Sequence, residues 1–424
     1  MLSCSLLRKL ISELTCRTIQ PTTGSSLQLI LPYRSTSIAT MTTASGHVIP
    51  PDTSETNGTP KKYNAWQQPG PAAYDFRSDV MTTPTESMLN AIMNTTLLDD
   101  VFQEDPTTVS LEADIAKLAG HEAGLLVMSG TMGNQVALRS HLTQPPHSVL
   151  CDQRGHIVQY EAGGVSSLSG AMLIPVKPAN KHHLTLEDVK ENIIISDDVH
   201  ACPTKVISLE NTLNGMIMPL EEVKRISAFA REHNIKMHLD GARIWEVAAA
   251  DAGSIPDFTT LFDSVSMCFS KGLGAPIGSI IVGSIDFIKH SRRIRKAIGG
   301  GTRQAGVISA AARVAVEEGF GKGPRGEGGK LRACHAQARK IAALWESKGG
   351  KLAHPTETNM VWLDIDAEGC SADEVAELAA KEGLKLRGGR CVVHYQITDD
   401  AVERLGRVMD EILKRRKDQA NGHA

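Results

Sequence analysis

The stretch SVSMCFSKGLG at residues 264–274 places a single lysine directly after a short apolar run. Residues 265–269 have the length and composition of a buried β-strand, and the small residues after them mark a break. Lys271 is therefore predicted at the carboxyl end of a strand, where open α/β sheets bind their ligands. An amine held at such an edge can form a Schiff base with an aldehyde. The alternative for this segment alone is a solvated loop lysine.

A second apolar run, MHLDGAR at residues 237–243, ends in a carboxylate, Asp240. We expect the ends of the two strands to be neighbours. A buried carboxylate is costly unless it meets a positive charge or a donor. The protonated ring nitrogen of pyridoxal 5'-phosphate would supply that charge, and a lysine would hold the cofactor's aldehyde. An ion pair of Asp240 with Arg243 or with Lys271 is the alternative without a cofactor.

The segment LLVMSGTMGNQVAL at residues 125–138 predicts a strand, a turn of small residues and a helix beginning near Met132. Backbone N–H groups of Gly130, Thr131 and Met132 would face an anion at the start of this helix, and the Thr131 hydroxyl would assist. A plain helix cap is the alternative explanation of the same turn.

Further motifs extend the pattern over most of the chain. In chain order they are FRSD at 76–79, DDVF at 99–102, EDP at 104–106, SGT at 129–131, EAGG at 161–164, SLENTLNG at 208–215, DGARI at 240–244, SKGLGAPIGS at 270–279 and GGGTRQAG at 299–306. With these motifs the chain resembles the threonine aldolases of the fold-type I pyridoxal-phosphate enzymes, which are grouped with the aromatic amino-acid β-eliminating lyases.

The resemblance implies roles for the residues already singled out. Lys271 would be the Schiff-base lysine and Asp240 the partner of the pyridine nitrogen. Gly130 and Thr131 would bind the cofactor phosphate. His156, in the tripeptide RGH, would stack on the cofactor ring and approach the substrate hydroxyl.

The resemblance also implies how the substrate and a second subunit are bound. Arg243 would lie near the ring hydroxyl and the substrate. Ser78 and Arg390 would bind the substrate carboxylate, which suits arginine's planar pair of donors. Arg303 would reach the cofactor phosphate of a neighbouring subunit, so the site would be complete only in a homo-oligomer, usually a dimer of dimers in this family. No metal is expected.

Two positions depart from the family pattern. Leu213 stands where many bacterial relatives have a histidine near the substrate β-hydroxyl, and Phe102 stands where relatives often carry tyrosine. The second change removes a hydroxyl donor from the expected pocket wall. His156 or a bound water would then act as the base, and the preference between threonine and allo-threonine stays open.

The predicted activity is that of a low-specificity L-threonine aldolase. Retro-aldol scission of the Cα–Cβ bond of L-threonine or L-allo-threonine would give glycine and acetaldehyde, in threonine catabolism and glycine biosynthesis. An alanine racemase on the same scaffold is the alternative, because it would protonate the same kind of Cα carbanion. A non-catalytic protein with this fold is a third hypothesis, which the presence of all these site residues together disfavours.

Composition agrees with a large enzyme. The chain has 424 residues, of which 41% are hydrophobic, and a net charge of −3. It can bury a large core and has no basic field for nucleic acid. No apolar segment has the length of a membrane span, so no membrane partner is expected. The 8 cysteines show no metal-like spacing, which indicates free thiols in a reduced compartment.

The predicted fold class is α/β, a fold-type I arrangement with a large, mostly parallel α/β domain and a smaller α+β C-terminal domain. The predicted boundaries are a disordered extension at 1–72, an N-terminal arm at 73–106, the large cofactor-binding domain at 107–325 and the small domain at 326–424. Strands are predicted at 205–209, 237–239, 360–365 and 390–397, and helices at 220–232, 331–348 and 372–382.

The N-terminal extension has a composition of its own. Arg8, Lys9, Arg17 and Arg34 oppose a single acidic residue before Asp52, and leucines fall at helical spacing. That pattern resembles a mitochondrial presequence. A tail without function is the alternative, and a start at residue 41 would leave a cytoplasmic form.

Overall fold

The run before Lys271 forms a fully buried strand, Ser264–Cys268, close to the middle of a seven-stranded sheet. The computed structural model describes residues 70–327 and 329–422, the last seven of these by their backbone alone. The described strands are β1 (Ala123–Val127), β2 (Ser148–Asp152), β3 (Met172–Val176), β4 (Thr204–Glu210), β5 (Lys236–Asp240), β6 (Ser264–Cys268), β7 (Ser279–Gly283), β8 (Leu352–His354), β9 (Met360–Leu363) and β10 (Arg390–Val392).

Helices in the described part of the chain account for most of the remaining regular structure. They are α1 (Glu86–Met93), α2 (Pro106–Leu118), α3 (Gly130–His141), α4 (His156–Gln159), α5 (Gly164–Ser169), α6 (Leu186–Asn192), α7 (Leu220–Glu232), α8 (Ile244–Ala249), α9 (Ile255–Thr259), α10 (Ile285–Ala297), α11 (Gly306–Gly319), α12 (Lys330–Ser347), α13 (Ala372–Lys381) and α14 (Asp399–Gly422). Short 3-10 helices occupy Pro71–Tyr74 and Asp79–Met81.

The large sheet has the order β1-β7-β6-β5-β4-β2-β3, and only β7 runs antiparallel to its neighbours. Strands β2, β6 and β7 are buried along their whole length, as expected for a sheet covered by helices on both faces. The predicted α/β fold class is confirmed.

A smaller antiparallel sheet, β10-β9-β8, packs with α12, α13 and α14 around a second hydrophobic core. Phe76, from the predicted N-terminal arm, is fully buried in this core. Its N–H donates to Lys385 O at 2.9 Å, and its carbonyl accepts from Val392 N–H at 2.8 Å. The segment that follows Phe76 is therefore anchored to the small sheet as it passes the edge of the large one.

Three predicted boundaries differ from the structure by two residues or more, and one of them is the strand predicted at 360–365, which ends at Leu363. The helix expected near Met132 begins at Gly130, because the Ser129 side chain accepts from the Met132 N–H and caps it there. The strand expected at 390–397 ends at Val392. Beyond it the Ile397 N–H donates to His394 O, and His394 Nε2 lies 3.0 Å from Asp75 O, which turns the chain out of the sheet.

Close approach of α3 to the sheet depends on a glycine. A Cβ added at Gly133 would clash with Ser266 Oγ in β6, so an alanine there would require the serine to rotate or α3 to move away from the strand. This contact holds the N-terminus of α3 against the strand that precedes Lys271.

None of the helices in the described residues is both long enough and apolar enough to cross a membrane. The predicted presequence lies outside the described residues and stays a prediction.

Trp245, in α8, secures the end of β6. Its ring is buried, packs edge-on against Phe320 at 5.0 Å, and its Nε1–H donates to Cys268 O at 2.9 Å. The last pair in register between β5 and β6 is Asp240 with Ser266, so the Cys268 carbonyl lies beyond that ladder.

We expect Trp245→Phe to lower the free energy of unfolding by about 1–3 kcal/mol, because it leaves the buried Cys268 carbonyl without a donor. Urea unfolding measures the loss. Trp362→Phe is the matched control: it removes an Nε1–H bond to Asn214 O from a half-buried ring, where water can take over the carbonyl. Equal losses in the two variants would contradict the explanation.

Candidate active site

Three neighbouring strand ends bring the candidate residues to one edge of the large sheet. In the parallel register Glu210 lies opposite Asp240, and Asp240 lies opposite Ser266. Lys271 follows three residues after the end of β6. The predicted neighbourhood of the Asp240 and Lys271 strand ends is confirmed.

A cavity of about 270 Å³ lies at this edge. Five of the residues predicted from sequence line it: Ser78, His156, Arg243, Lys271 and Arg390. Leu213, which the sequence analysis singled out as a departure from the family pattern, lines it as well, and sequence reasoning missed the others: Val80, Arg154, Tyr160, Glu210, Asn214 and Met360.

Asp240 is buried and is held by neutral donors. Its Oδ1 accepts from Ala242 N–H at 3.1 Å and its Oδ2 from Asn134 Nδ2 at 2.7 Å. Among the ion pairs of the described residues, none joins Asp240 to Arg243 or Lys271. The two alternatives without a cofactor are therefore not what the structure shows, and the carboxylate still lacks a positive partner.

Arg243 is instead paired with Asp79, from the segment anchored to the small sheet. Its Nε and one terminal nitrogen donate to the two carboxylate oxygens at 2.8 and 2.6 Å. Burial alone would raise the pKa of Asp79, but the charge and hydrogen bonds of Arg243 outweigh it and hold that pKa well below its usual range. The pair fixes the guanidinium at the cavity wall and cancels most of its charge.

His156 begins α4 and is fixed through both its backbone and its ring. Its N–H donates to Glu210 Oε2 at 2.8 Å, and its Nδ1 lies 2.7 Å from Glu161 Oε1. The hydrogen bond to Glu161 raises the pKa of His156, although burial opposes the shift. The Nδ1 position is taken, so Nε2 is the ring nitrogen available to a ligand.

Glu210 is the most informative residue that sequence reasoning missed. Burial and the negative charge of Asp240 raise the pKa of Glu210 to about 8, so this carboxyl is neutral at pH 7. The signal was present in the sequence, because Glu210 ends an apolar run just as Asp240 does. Tyr160, with its ring 5.5 Å from that of His156 and largely exposed, had no such signal.

The start of α3 provides donors for an anion. The first N–H groups of a helix have no partner within it, and the N-terminus favours negative charge. The Met132 N–H donates to Ser129 Oγ at 3.2 Å, which commits it to the helix cap rather than to a ligand. Gly130 and Thr131 keep the predicted position, and an added Cβ at Gly130 would lie 2.7 Å from Cys268 Sγ at the end of β6.

Ser78 and Arg390 face the same cavity from the small-domain side. One terminal nitrogen of Arg390 donates to Arg77 O at 2.9 Å, and its guanidinium lies over the Trp362 ring at 5.9 Å. Burial lowers the pKa of Arg390, and the nearby charge of Arg243 adds to the effect. A bound carboxylate would offset both the burial of Arg390 and the nearby positive charge of Arg243.

Six of the residues singled out from sequence do not line the cavity: Phe102, Gly130, Thr131, Met132, Asp240 and Arg303. Arg303 is exposed and does not line it. Phe102 is 75% exposed, so the expected loss of a hydroxyl from the pocket wall does not arise within one subunit. Leu213 does line the cavity and presents an apolar side chain there.

The donor set fits pyridoxal phosphate. Glu161 and Asp240 oxygens and His156 Nδ1 lie within 4.8 Å of one another, an arrangement that could also hold a metal ion. The cluster carries two buried carboxylates beside one imidazole, so a pyridinium nitrogen would supply the missing positive charge. Lys271, which forms no ion pair among the described residues, is available to an aldehyde, and the start of α3 to a phosphate.

Known proteins support this reading of the site. A model of the beta-eliminating lyase family matches residues 75–368. The chain is 55% identical to aldolase vrtJ of Penicillium aethiopicum over 85% of its length and 91% of the relative's. It is 47% identical to the alanine racemase TOXG of Cochliobolus carbonum, over 81% of its length and 88% of the relative's. A low-specificity L-threonine aldolase of Eremothecium gossypii is 46% identical, over 81% and 88%.

Solved structures show the same fold. A putative L-allo-threonine aldolase from Listeria monocytogenes superposes with a TM-score of 0.64 at 24% identity, covering 80% of this chain and 96% of its own. A structure of SPT with PLP gives a TM-score of 0.62 at 15% identity, over 81% and 88%. On the family match and on the site described above, this chain belongs to the beta-eliminating lyase family and is a pyridoxal-phosphate enzyme of its lyase and aldolase group.

Proposed function

We propose that this protein is a low-specificity L-threonine aldolase, which cleaves L-threonine and L-allo-threonine to glycine and acetaldehyde. One observation carries the proposal: an amine, a guanidinium and an imidazole from Lys271, Arg390 and His156 line a single cavity. These are the groups that cofactor attachment, carboxylate binding and proton removal require. The 46% identity to a relative named as such an aldolase supports the choice of reaction.

Bound pyridoxal phosphate supplies an electron sink for the bond that breaks. Lys271 would hold the cofactor's aldehyde, and Asp240 would face the ring nitrogen and favour its protonated form. Arg390, with Ser78, binds the substrate carboxylate and so fixes the orientation of the substrate about Cα, which determines the bond that is cleaved.

His156 is the candidate base for the substrate hydroxyl. Its Nδ1 donates to Glu161 Oε1, which leaves Nε2 to accept a proton. The carboxylate of Glu161 stabilises the resulting imidazolium and is itself held by Asn134 and Gln135. Leu213 cannot assist, because its side chain carries no polar atom.

Glu210 limits the negative charge beside Asp240 by holding a proton at pH 7. In cofactor-free protein the folded state keeps this proton up to about pH 8, whereas the unfolded chain loses it near the ordinary value of 4.5. The folded state therefore binds more protons within this window, and the free energy of unfolding falls as pH rises through it.

We expect Glu210→Gln to remove this part of the pH dependence, because glutamine has no proton to lose. The free energy of unfolding of the variant, minus that of the parent, should rise by roughly 1–4 kcal/mol between pH 4.5 and pH 8. Urea unfolding of cofactor-free protein at several pH values measures it. Glu221→Gln, on the exposed face of α7, is the control, and parallel curves for parent and Glu210→Gln would rule the assignment out.

The parent enzyme is expected to release glycine and acetaldehyde from both L-threonine and L-allo-threonine. Lys271→Ala should lose the visible absorbance band of the bound cofactor and at least about a hundredfold in rate, because the cofactor loses its covalent anchor. A coupled assay for acetaldehyde with purified protein measures both rates. Lys289→Ala, which changes an exposed lysine on α10 that does not line the active-site cavity, is the control for surface lysine loss.

The 47% identity to an alanine racemase makes racemisation the second candidate. Formation of D-alanine from L-alanine, without acetaldehyde from either threonine isomer, would replace the proposal with that activity. A full cofactor band with neither product would indicate another β-hydroxy amino acid as substrate.

We also propose that the enzyme is a homo-oligomer in which Arg303 completes the neighbouring subunit's site. The segment at residues 98–102, which contacts the Arg303 backbone, carries exposed apolar side chains, including Leu98 and Phe102, at 51% and 75% exposure. Asp100 N–H donates to Arg303 O at 2.8 Å, so both segments belong to one surface. A second copy would cover that surface, while the arginine supplies positive charge at the phosphate end.

Complementation tests this arrangement. Lys271→Ala and Arg303→Gln subunits should each be weakly active alone and should regain activity when refolded together, since a mixed dimer then contains one site with both residues intact. Light scattering reports the assembly. If Arg303 served its own subunit's site, no mixed dimer would contain an intact site and mixing would restore nothing.

A further inference from the structure

A chain of buried hydrogen bonds lies behind the active-site carboxylates. Asn134, in α3, is 1% exposed, and its Nδ2 donates to Asp240 Oδ2 at 2.7 Å and to Glu161 Oε1 at 2.8 Å. Both amide hydrogens are thus used on acceptors. The opposite amide orientation would set Oδ1 against two carboxylates, so the orientation is fixed by charge.

That orientation determines the hydrogen positions of the next residue. Asn134 Oδ1 lies 3.1 Å from Nε2 of the fully buried His238, and because Oδ1 can only accept, His238 Nε2 must carry a hydrogen. Burial lowers the pKa of His238 to about 4, so the ring is neutral and its Nδ1 has no hydrogen. Nδ1 therefore accepts from the Ser264 hydroxyl, 2.8 Å away.

The chain continues to a second cavity at the opposite end of β6. Ser264 has one hydroxyl hydrogen, which points to His238, so His141 Nε2 at 2.7 Å donates to Ser264 Oγ. His141 lines a cavity of about 380 Å³ together with Lys236 and Asp263. In this series of hydrogen bonds, every donated hydrogen therefore points from that cavity towards the active-site carboxylates.

We propose that His238 is a positioning residue for the cofactor site: by donating to Asn134 Oδ1, it keeps both amide hydrogens on Asp240 and Glu161. Without that donor the amide plane is held only by its two bonds to the carboxylates, so it can tilt and lengthen one of them. Tilting would weaken the donor that two adjacent buried carboxylates share, at the place where Asp240 would meet the ring nitrogen and Glu161 orients His156. The inference rests on the cofactor and not on which amino acid is the substrate.

The alternative is that His238 is only a well-packed core histidine. A pair of substitutions separates the two roles. Glutamine at 238 offers one donor and one acceptor in place of the ring nitrogens, whereas leucine offers neither. His147→Leu is the control for loss of a buried histidine, since His147 is 3% exposed and its Nε2 contacts Ser169 O, away from the site.

The measurement is the affinity of cofactor-free protein for pyridoxal phosphate, followed by the absorbance of the bound cofactor, with thermal unfolding alongside. We expect His238→Leu to bind about tenfold more weakly than the parent and His238→Gln to stay within about threefold. His147→Leu should lose thermal stability without losing affinity. Equal weakening of the two 238 variants, or the same weakening in His147→Leu, would leave His238 with a packing role only.

A second measurement does not depend on how the variants fold. Neutron diffraction from crystals of the cofactor-bound parent would locate the histidine hydrogens directly. We expect His238 to carry its hydrogen on Nε2 and His141 to carry one on the nitrogen facing Ser264. A hydrogen on His238 Nδ1 instead would overturn the proposal, because Asn134 Oδ1 would then have no donor.

Discussion

The in-register parallel pairing of β4, β5 and β6 is the constraint on which the site depends. The carboxyl ends of parallel strands lie at the same edge of a sheet, so the residues that terminate neighbouring strands lie close together. Glu210 and Asp240 are paired directly across this edge, and Lys271 follows the third strand. A shift of one residue in the pairing of β4 with β5, or of β5 with β6, would turn a carboxylate from this edge into the apolar core.

Charge at this edge is unbalanced within the chain, and each acidic group is stabilised differently. Asp79 forms an ion pair with Arg243, and Glu161 is hydrogen-bonded to His156 Nδ1. Glu210 keeps its own proton because its pKa is raised. Asp240 accepts hydrogen bonds from two neutral donors, Asn134 Nδ2 and Ala242 N–H. Asp240 is therefore the carboxylate that still needs a positive partner, and a pyridinium nitrogen would supply it.

The small sheet takes part in the site through its link to residues 76–79. Anchoring of Phe76 places Asp79 against Arg243, and β10 places Arg390 at the cavity. The groups proposed to hold the cofactor thus come from the large sheet, whereas the arginine proposed to bind the substrate carboxylate comes from the smaller one. The similarity to relatives named as aldolases and to one named as a racemase fits this division, because the cofactor half can be kept while the substrate half changes.

The sequence by itself determined the fold class and most of the site, because apolar runs that end in Asp240 or Lys271 report burial and position together. It also placed Gly130 and Thr131 at a helix start. Tertiary structure alone decided the rest: Glu210 became a neutral acid only through burial beside Asp240, and Arg243 turned to Asp79 across a large sequence separation. Such effects depend on distances in space and on dielectric surroundings, which the order of residues does not record.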